Sequence, residues 1–431
     1  MLRRKIIQTL EAWYAMPERK SLIIEGPQEI GKTFVLKKFA IQNYKQVVMI
    51  NFNQFPYMRH LFEMDMDVDA LVLQMVMLIK GAVCVPHETL ILMEELEYCP
   101  GAYAAMKKFS LDKRYDCIAT LSRFNFIEPC VEVDKIRMHS MDFEEFLWAN
   151  NMSSNVLDHV HQSFIQQEQI SDDLHQHLIK MFKTYLLVGG MPKVVNTFLY
   201  TQNMNQVRKV QKLIEKGYLS EMLMGVQQKE RERFLRLYTS LPEQIARGNK
   251  RFMYKEVDDK ATHRNYFKSI RAMYRMGWAF VVYKLKSTNF PLVENTTSDN
   301  FIFMIRDIGC LSGQLDEDSL TKYGDFSLLQ HNAYLMNGVS DILAKRNIKM
   351  YYAEHGQHDF LVAMVGDQRI GLSYEDVKTL RKMKRLVEKG LLDACYNLTS
   401  HPLLVDKVGM HLPLYLLMFI GKGTYEEVRW N

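Results

Sequence analysis

The sequence predicts an α/β fold for the N-terminal third of the chain, with a parallel sheet covered by helices on both faces. Five short apolar segments alternate with stretches whose apolar residues recur at helical spacing, a pattern that indicates parallel strands joined by helical crossovers. A glycine-containing turn joins the first segment to a helical stretch. The predicted strands are SLIIE (Ser21 to Glu25), QVVMINFN (Gln46 to Asn53), LILMEE (Leu90 to Glu95), YDCIATLS (Tyr115 to Ser122) and CVEVDKIRM (Cys130 to Met138).

The turn after the first strand, GPQEIGKT, fits the phosphate-loop pattern G-x-x-x-x-G-K-[ST]. Its glycines let successive backbone N–H groups point at phosphate oxygens, and the following helix adds its positive N-terminal end. The lysine would reach the β- and γ-phosphates, and the threonine hydroxyl would bind Mg²⁺. A turn without a ligand is the alternative. The pattern predicts that ATP and Mg²⁺ bind at Gly26, Pro27, Gln28, Glu29, Ile30, Gly31, Lys32 and Thr33.

The third strand ends in two acids, Glu94 and Glu95, at the place where phosphate-loop enzymes carry their acidic pair. Glu94 is predicted to hold Mg²⁺ together with Thr33, and Glu95 to orient or deprotonate the attacking water. Neighbouring residues of a strand point to opposite faces, which suits the two acids to different tasks. An ordinary strand end with solvated acids is the alternative. Glu95 and Lys32 are therefore the candidate catalytic residues, and Thr120 or Ser122 could add a polar group near the γ-phosphate.

Length and composition predict a folded protein of two to four domains. The chain has 431 residues, of which 48% are hydrophobic and 24% charged, and no stretch approaches the roughly 18 apolar residues of a membrane span. The N-terminal segment MLRRKIIQTLEAWYAM is interrupted by Gln8 and Glu11, so we expect an amphipathic helix rather than a secretory signal. Six scattered cysteines without C-x-x-C spacing favour reduced thiols and a cytoplasmic location.

Five segments together resemble a widespread family of AAA-type P-loop ATPases: SLIIEGPQEIGKT, NFNQF, LILMEELEYCPGAYAAMKKF, MHSMDFEEFLWANN and YLLVGGMPKVV. In that family the nucleotide-binding domain precedes a C-terminal domain of unknown function, which combines a winged helix with a nuclease-like fold. The resemblance is strongest over residues 1–195 and at SLPEQIARGNKRFMYKEV, from Ser240 to Val257. It implies an AAA-type domain over 1–150, a helical lid or linker over 151–225, a winged-helix module over 226–312 and a degenerate restriction-endonuclease-like domain over 313–431.

The chain departs from the family pattern at two places. Members usually read G-A-R-Q-x-G-K-T, so neutral Gln28 replaces a basic residue and Glu29 adds an acid. Relatives also carry Asp-Glu where this chain has Glu94 and Glu95. The extra methylene of glutamate moves its carboxylate by about 1.5 Å, in a site where such a shift reduces the rate. Nucleotide binding is therefore the better supported prediction, and hydrolysis the more demanding one.

A basic segment follows in the middle of the chain. Between Arg247 and Lys286 eleven Lys or Arg stand against three acids, an excess larger than the net charge of +5 of the whole chain. Helical spacing puts Arg264, Lys268, Arg271 and Arg275 on one face, and we expect Phe267, Ile270, Tyr274 and Trp278 to pack inward. With VVYKLKS as a wing strand, this pattern predicts DNA binding. A solvated face, or a face that docks on an acidic domain, is the alternative.

The resemblance also implies where a nuclease site would lie in the C-terminal part. Asp359 matches the metal-binding aspartate, Ser373 and Glu375 take the two places of the Glu-x-Lys pair, and Asn337 takes the place of the helix acid. A metal ion needs several hard oxygen ligands, and one aspartate would not hold it. We therefore expect this domain to lack nuclease activity and to serve packing or binding.

The function predicted from the sequence is an ATP-binding protein, a Mg-dependent AAA ATPase that couples its nucleotide state to the basic winged-helix module. One alternative is a nucleotide-gated, DNA-binding regulator with little or no hydrolysis, and another is an interaction scaffold for an unknown protein partner. Arg123 and Arg137 are candidates for an arginine finger by position alone. Because a neighbouring subunit can supply such a residue, the sequence is also compatible with a homo-oligomer.

Overall fold

The structure is a computed structural model that describes residues 2–124, 126–128, 130–224, 226–248, 251–315 and 332–421. The chain divides into two compact units. The N-terminal unit contains the described residues of 4–140 together with 275–277. The C-terminal unit contains the described residues of 2–3, 141–274 and 278–421.

The N-terminal unit is built on a five-stranded sheet in the order β2-β3-β4-β1-β5, and every pairing is parallel. This confirms the predicted parallel sheet of a P-loop NTPase. Because β4 lies between β1 and β3, the carboxyl ends of these three strands meet at one edge of the sheet. Its helices and strands are α1 Ile6–Tyr14, β1 Ser21–Glu25, α2 Lys32–Asn43, β2 Gln46–Asn51, α3 Val68–Leu78, β3 Thr89–Glu94, α4 Gly101–Asp112, β4 Asp116–Leu121 and β5 Val133–Arg137.

Burial explains why these segments form a parallel sheet. All five residues of β1 and all six of β3 are buried, as expected for strands that are covered on both faces. One large apolar cluster joins one side of the sheet to α3 and α4 through residues such as Phe52, Met75, Met93 and Phe109. The central strands are therefore fixed by packing, and polar side chains of the unit that need water or a ligand are left at the strand ends.

The C-terminal unit combines helices with an eight-stranded mixed sheet in the order β12-β13-β11-β10-β9-β8-β6-β7. None of the described helices is long and apolar enough to cross a bilayer. The helices are α5 Phe143–Ala149, α6 Ser154–Gln166, α7 Asp172–Val188, α8 Pro192–Thr201, α9 Met204–Leu223, α10 Gln228–Ala246, α11 Tyr254–Val257, α12 His263–Arg275, α13 Ile308–Gln314, α14 Asn332–Lys345 and α15 Val377–Glu388. The strands are β6 Ala279–Leu285, β7 Thr296–Ile305, β8 Lys349–His355, β9 His358–Val365, β10 Gln368–Tyr374, β11 Ala394–Thr399, β12 Leu404–Val405 and β13 Met410–Pro413.

The motif GGMP serves a close approach between segments of the C-terminal unit. Gly189 has φ 76°, and a Cβ on it would lie 2.2 Å from an Asp307 carboxylate oxygen. A Cβ on Gly190 would lie 1.9 Å from the Met141 carbonyl oxygen. The Gly190 N–H donates to Asp307 Oδ2 at 3.0 Å, and its carbonyl accepts from the Met141 N–H at 2.7 Å. Only glycine fits at both positions.

A buried ionic cluster lies beside this motif. Lys345 Nζ is 2.9 Å from Asp341 Oδ2 and 3.1 Å from Asp307 Oδ2, and it donates to the Tyr185 hydroxyl at 2.9 Å. The carboxylate oxygens of Asp341 also accept the backbone N–H groups of Asp307 and Ile308, each at 3.0 Å. Burial by itself lowers the pKa of Lys345, but the two carboxylates and Tyr185 outweigh it and hold that pKa well above its usual value. The cluster therefore connects α7, α13 and α14 through one buried lysine, two buried carboxylates and their hydrogen bonds.

Candidate functional site

The phosphate loop spans Gly26 to Gly31, between β1 and α2. A Cβ on Gly26 would lie 2.2 Å from the Met138 carbonyl oxygen, so this position has no room for a side chain. Gly31 has φ 90° and precedes the first residue of α2, and Glu29 has φ 60°. Because Gly31 has no side chain, no side-chain group of this residue caps α2, and the end of the helix stays suited to an anion.

Two buried cations hold the loop from opposite ends of the motif. Lys32 Nζ donates to the carbonyl oxygens of Gly26 and Pro27, each at 2.7 Å, and to Ser122 Oγ at 3.1 Å. Arg4 Nη1 donates to the Ile30 carbonyl at 2.8 Å, while its Nη2 donates to the His139 carbonyl at 2.6 Å. The lysine of the motif thus lies folded back on the loop, and an arginine outside the motif fixes the loop backbone.

The two acids lie at the carboxyl end of β3. Glu94 is 5% exposed, its Oε2 accepts from Asn51 Nδ2 at 3.3 Å, and its Oε1 is buried without a hydrogen-bond partner. Glu95 follows the strand with φ 59° and ψ 55°, and its Oε2 is likewise buried without a partner. The expectation that the acids alternate as strand neighbours was wrong, because the left-handed turn at Glu95 changes the direction of its side chain. Such a conformation is strained in a residue other than glycine, and it is concentrated at functional sites.

The end of β4 connects the acids to the loop. The Glu95 N–H donates to Thr120 Oγ1 at 3.0 Å, and Ser122 Oγ accepts from Lys32. Both oxygens of the buried Glu97 carboxylate accept the Ser122 N–H, at 3.1 and 3.2 Å. The polar residues predicted at this strand end therefore lie between the lysine and the acids.

Burial sets the protonation behaviour of Glu95. Loss of water raises the pKa of its carboxyl above the usual value, and Glu97 and Glu94 act in the same direction. A hydrogen bond from Asn53 and the charge of Lys32 oppose this rise. A carboxylate with a raised pKa is a better proton acceptor near neutral pH than a solvated one.

The residues of the site fit a nucleotide with a hydrated divalent cation. Glu94 and Glu95 each keep one buried oxygen without a hydrogen-bond partner, and a buried polar atom of this kind calls for a ligand or water. In the described part of the chain, no group of three or more His, Cys, Asp or Glu could hold a metal ion by itself. Mg²⁺ keeps several waters and takes phosphate oxygens as ligands, so one carboxylate and one hydroxyl are enough.

Comparison with known protein families agrees with this geometry. Residues 18–147 match the family model described as an AAA domain. The chain therefore carries an AAA domain. Residues 179–320 match a model described as a domain of unknown function (DUF8612). No curated protein matches the chain.

Several solved structures are similar to about three quarters of the chain, at low identity. A Walker-type ATPase of Pyrococcus abyssi is 13% identical with a TM-score of 0.41, over 73% of this chain and 96% of that one. The Orc1 protein of Aeropyrum pernix in complex with DNA is 9% identical with a TM-score of 0.30, over 74% and 92%. The RuvB Holliday junction branch migration motor of Thermotoga maritima is 10% identical with a TM-score of 0.31, over 75% and 95%.

The two arginines singled out by position both lie within the AAA domain. Arg137 Nε donates to Glu25 Oε2 at 3.0 Å, and Lys135 Nζ lies 3.9 Å from the other oxygen of this fully buried carboxylate. Arg137 therefore neutralises a charge at the base of the phosphate loop. Arg123 has a buried Nε without a hydrogen-bond partner, and its guanidinium lies 5.9 Å from the centre of the Phe126 ring. A role for either as an arginine finger stays a prediction.

Sequence reasoning missed four residues of the AAA site. Asn51 contacts Glu94, Asn53 contacts Glu95, Glu97 contacts the Ser122 N–H and Arg4 contacts the loop. Asn51 is the last residue of β2, which pairs with β3, and Asn53 follows it, so their place at the carboxyl edge of the sheet could have been predicted. No comparable signal marks Arg4, because only the fold brings the first residues of the chain to the loop.

The basic helix of the C-terminal unit is α12. Arg264, Lys268 and Arg271 are exposed, whereas Arg275 is half-buried. The inward face consists of Tyr266, Ser269, Ile270 and Met273. The expectation that Phe267 packs inward was wrong, since its side chain is 47% exposed. The predicted wing strand is β6, which pairs with β7 in antiparallel and with β8 in parallel orientation and so belongs to the large sheet.

The register of β9 and β10 bears on the expected nuclease site. Leu372 pairs with Leu361 in an antiparallel ladder, and Asp359 and Ser373 lie just beyond this last pair of the ladder. Ser373 Oγ donates to Asn397 Oδ1 at 3.0 Å. Asn337 is buried; its Oδ1 accepts the Ile305 N–H, and its Nδ2 donates to the Ile305 carbonyl oxygen. Asn337, Asp359 and Ser373 line one cavity of the C-terminal unit, in which Ser373 and Asn337 are hydrogen-bonded to Asn397 and Ile305.

Proposed function

We propose that the AAA domain binds ATP with Mg²⁺ and hydrolyses it, and that its nucleotide state is coupled to the C-terminal unit. The observation that carries the proposal is the arrangement at the carboxyl edge of the sheet. Thr120 on β4 contacts Glu95, and Ser122, which directly follows β4, contacts Lys32. These contacts support a single site that contains the acidic pair and the motif lysine, and each acid keeps a buried oxygen that lacks a partner.

Each residue then has a distinct task. The loop from Gly26 to Thr33 would hold the phosphates, and Lys32 would exchange the carbonyls of its own loop for phosphate oxygens. Thr33 and Glu94 would hold Mg²⁺, which when bound neutralises charge on the phosphates. Glu95 would orient the attacking water and accept its proton, and burial tunes its carboxyl for this task.

ATP binding and turnover by the full chain test this proposal. We expect Lys32→Ala to lose binding, and Glu95→Gln to keep binding while turnover falls by about 10²-fold or more. Glu88→Gln is the matched control, because Glu88 is partly exposed and pairs with Lys45. Failure of the wild-type chain to bind ATP in the presence of Mg²⁺ would overturn the proposal, and so would unchanged turnover in Glu95→Gln. Binding without turnover would leave a nucleotide switch in place of an ATPase.

A second function, binding of nucleic acid through α12, is favoured by an independent observation. Arg264, Lys268 and Arg271 recur on one face of the helix, are exposed, and form no ion pair among the described residues. Cations left without acidic partners in a folded protein attract a polyanion, and the binding then falls steeply with salt. Reversal of charge at Arg264 and Arg271 should weaken DNA binding, and an unchanged affinity would refute the role of the helix.

The remaining predictions are kept as proposals that rest on the sequence. A cytoplasmic location is supported by six cysteines that are all free thiols. A winged-helix module over 226–312 and a nuclease-like domain without activity over 313–431 are proposed from the family resemblance alone. Metal-dependent DNA cleavage that disappears in Asp359→Ala would contradict the second of these.

A further inference from the structure

Aromatic rings and cations share one surface near the N-terminal end of α12. His263 and Phe267 have ring centres 5.5 Å apart, and Tyr254 lies 6.3 Å from His263. Tyr254 in turn packs edge-on against Phe252 at 4.8 Å, and Phe252 stacks on Phe301 at 5.8 Å. A row of rings therefore runs from the core of the unit to an exposed end at Phe267.

The exposed ring lies within the stripe of cations. Arg264, Phe267, Lys268 and Arg271 occupy positions i, i+3, i+4 and i+7 of α12, which form one helix face. Two acids of the preceding segment are engaged by other arginines, since Asp258 pairs with Arg236 and Glu256 lies 3.4 Å from Arg247. We call these four residues with Tyr254 and His263 the aromatic–basic surface.

We propose that the aromatic–basic surface binds single-stranded nucleic acid, with bases stacked on Phe267 and His263 and phosphates held by Arg264, Lys268 and Arg271. This rests on the nucleic-acid binding proposed above for the same helix and specifies the state of its ligand. A duplex presents mainly phosphates and groove edges, because the faces of its bases are covered by their neighbours. An unpaired strand offers base faces and phosphates side by side, which is the pattern of this surface.

The binding of labelled oligothymidine by the full chain, followed by fluorescence anisotropy, tests the proposal. An abasic oligomer of the same length keeps the phosphates but lacks the bases, and a duplex of the same length serves as competitor. We expect Phe267→Ala to weaken oligothymidine binding roughly 5- to 100-fold, the range for loss of one stacked base, and to leave abasic binding unchanged. Tyr200→Ala is the matched control, since Tyr200 is 86% exposed on α8, outside this surface.

A charge variant separates the two kinds of contact. Arg271→Gln should weaken binding of oligothymidine and of the abasic oligomer alike, and should reduce the salt slope by about 0.7. Phe267→Leu keeps an apolar side chain without a ring face, so it should behave like Phe267→Ala. Wild-type affinity of Phe267→Leu for oligothymidine, or equal losses of Phe267→Ala on both oligomers, would overturn the stacking role. Preference for the duplex with no effect of Phe267→Ala would overturn the inference alone, whereas absence of binding to every nucleic acid would overturn both proposals.

Discussion

Replacement of Lys345 by methionine removes the cation from the buried ionic cluster and keeps most of the side-chain volume. Lys345 is fully buried between Asp341 and Asp307, whose side chains are 0% and 5% exposed. The variant leaves two carboxylates with hydrogen bonds but without a counter-charge. Removal of one partner from a buried pair costs about 3–5 kcal/mol, so we expect Tm of the C-terminal unit to fall by roughly 6–20 °C.

The pH dependence gives a second and more specific expectation. In the wild type the raised pKa of Lys345 means that its stabilisation is complete below the unfolded pKa and is lost only as the pH rises through the folded value. Burial already raises the pKa of the Asp341 carboxyl above its usual value against the opposing charge of Lys345. In Lys345→Met that opposing charge is absent, so the protonated form of Asp341 is favoured further. Stability of the variant should therefore fall as the pH rises through the acidic range. The loss of Tm relative to wild type should be smaller at pH 5 than at pH 8.

Thermal unfolding of the full chain, followed by the fluorescence of its tryptophans, measures both effects. Lys349→Met is the matched control, because Lys349 lies four residues further on and is exposed, and we expect its Tm to stay within about 2 °C of wild type. A shift of the same small size in Lys345→Met would refute the argument that this lysine compensates buried charge. A loss that grows towards pH 5 would refute the assignment of ionised carboxylates.

Two glycine substitutions test the close approaches in each unit. Gly190→Ala should lower Tm by several degrees or prevent folding of the C-terminal unit, because its Cβ would lie 1.9 Å from the Met141 carbonyl oxygen. Gly217→Ala on α9 is the control: no neighbouring side chain or segment lies within 4 Å of the added Cβ, so Tm should stay unchanged or rise slightly. Gly26→Ala should weaken ATP binding at least about tenfold, since its Cβ would lie 2.2 Å from the Met138 carbonyl oxygen, and wild-type affinity in this variant would contradict the described loop.

The sheet of the AAA domain was predictable because its strands are apolar throughout and separated by helical segments. All five predicted strands occur, with ends shifted by at most three residues, as in β5 at Val133–Arg137. The phosphate-loop pattern also predicted which strand ends carry the site, because the loop lies at the carboxyl edge of the sheet and only residues at that edge can contact it. The spacing of apolar residues shows which segments are buried, and the alternation of strands with helices indicates that the strands are parallel. These two properties determine this part of the fold.

Other features depend on backbone geometry that periodicity does not contain. A strand pattern through Glu94 and Glu95 does not indicate the left-handed turn that separates them. For α12 the helical spacing predicted that Phe267, Ile270 and Tyr274 face inward. The buried residues are instead Tyr266, Ile270 and Met273, so two of the three positions were wrong by one residue.

The charges around the phosphate loop indicate that Mg²⁺ would contribute more to ATP binding here than the loop motif alone suggests. Glu25 is neutralised by Arg137 and Lys135, which leaves the carboxylates of Glu94, Glu95 and Glu97 against the two cations that hold the loop, Lys32 and Arg4. Gln28 adds no positive charge, and Glu29 adds a negative one. A polyanion such as ATP would meet net repulsion at this edge if it came alone. Under the function proposed above, Mg²⁺ held by Thr33 and Glu94 would reverse that balance, so the acids that oppose binding of free ATP would favour its magnesium complex.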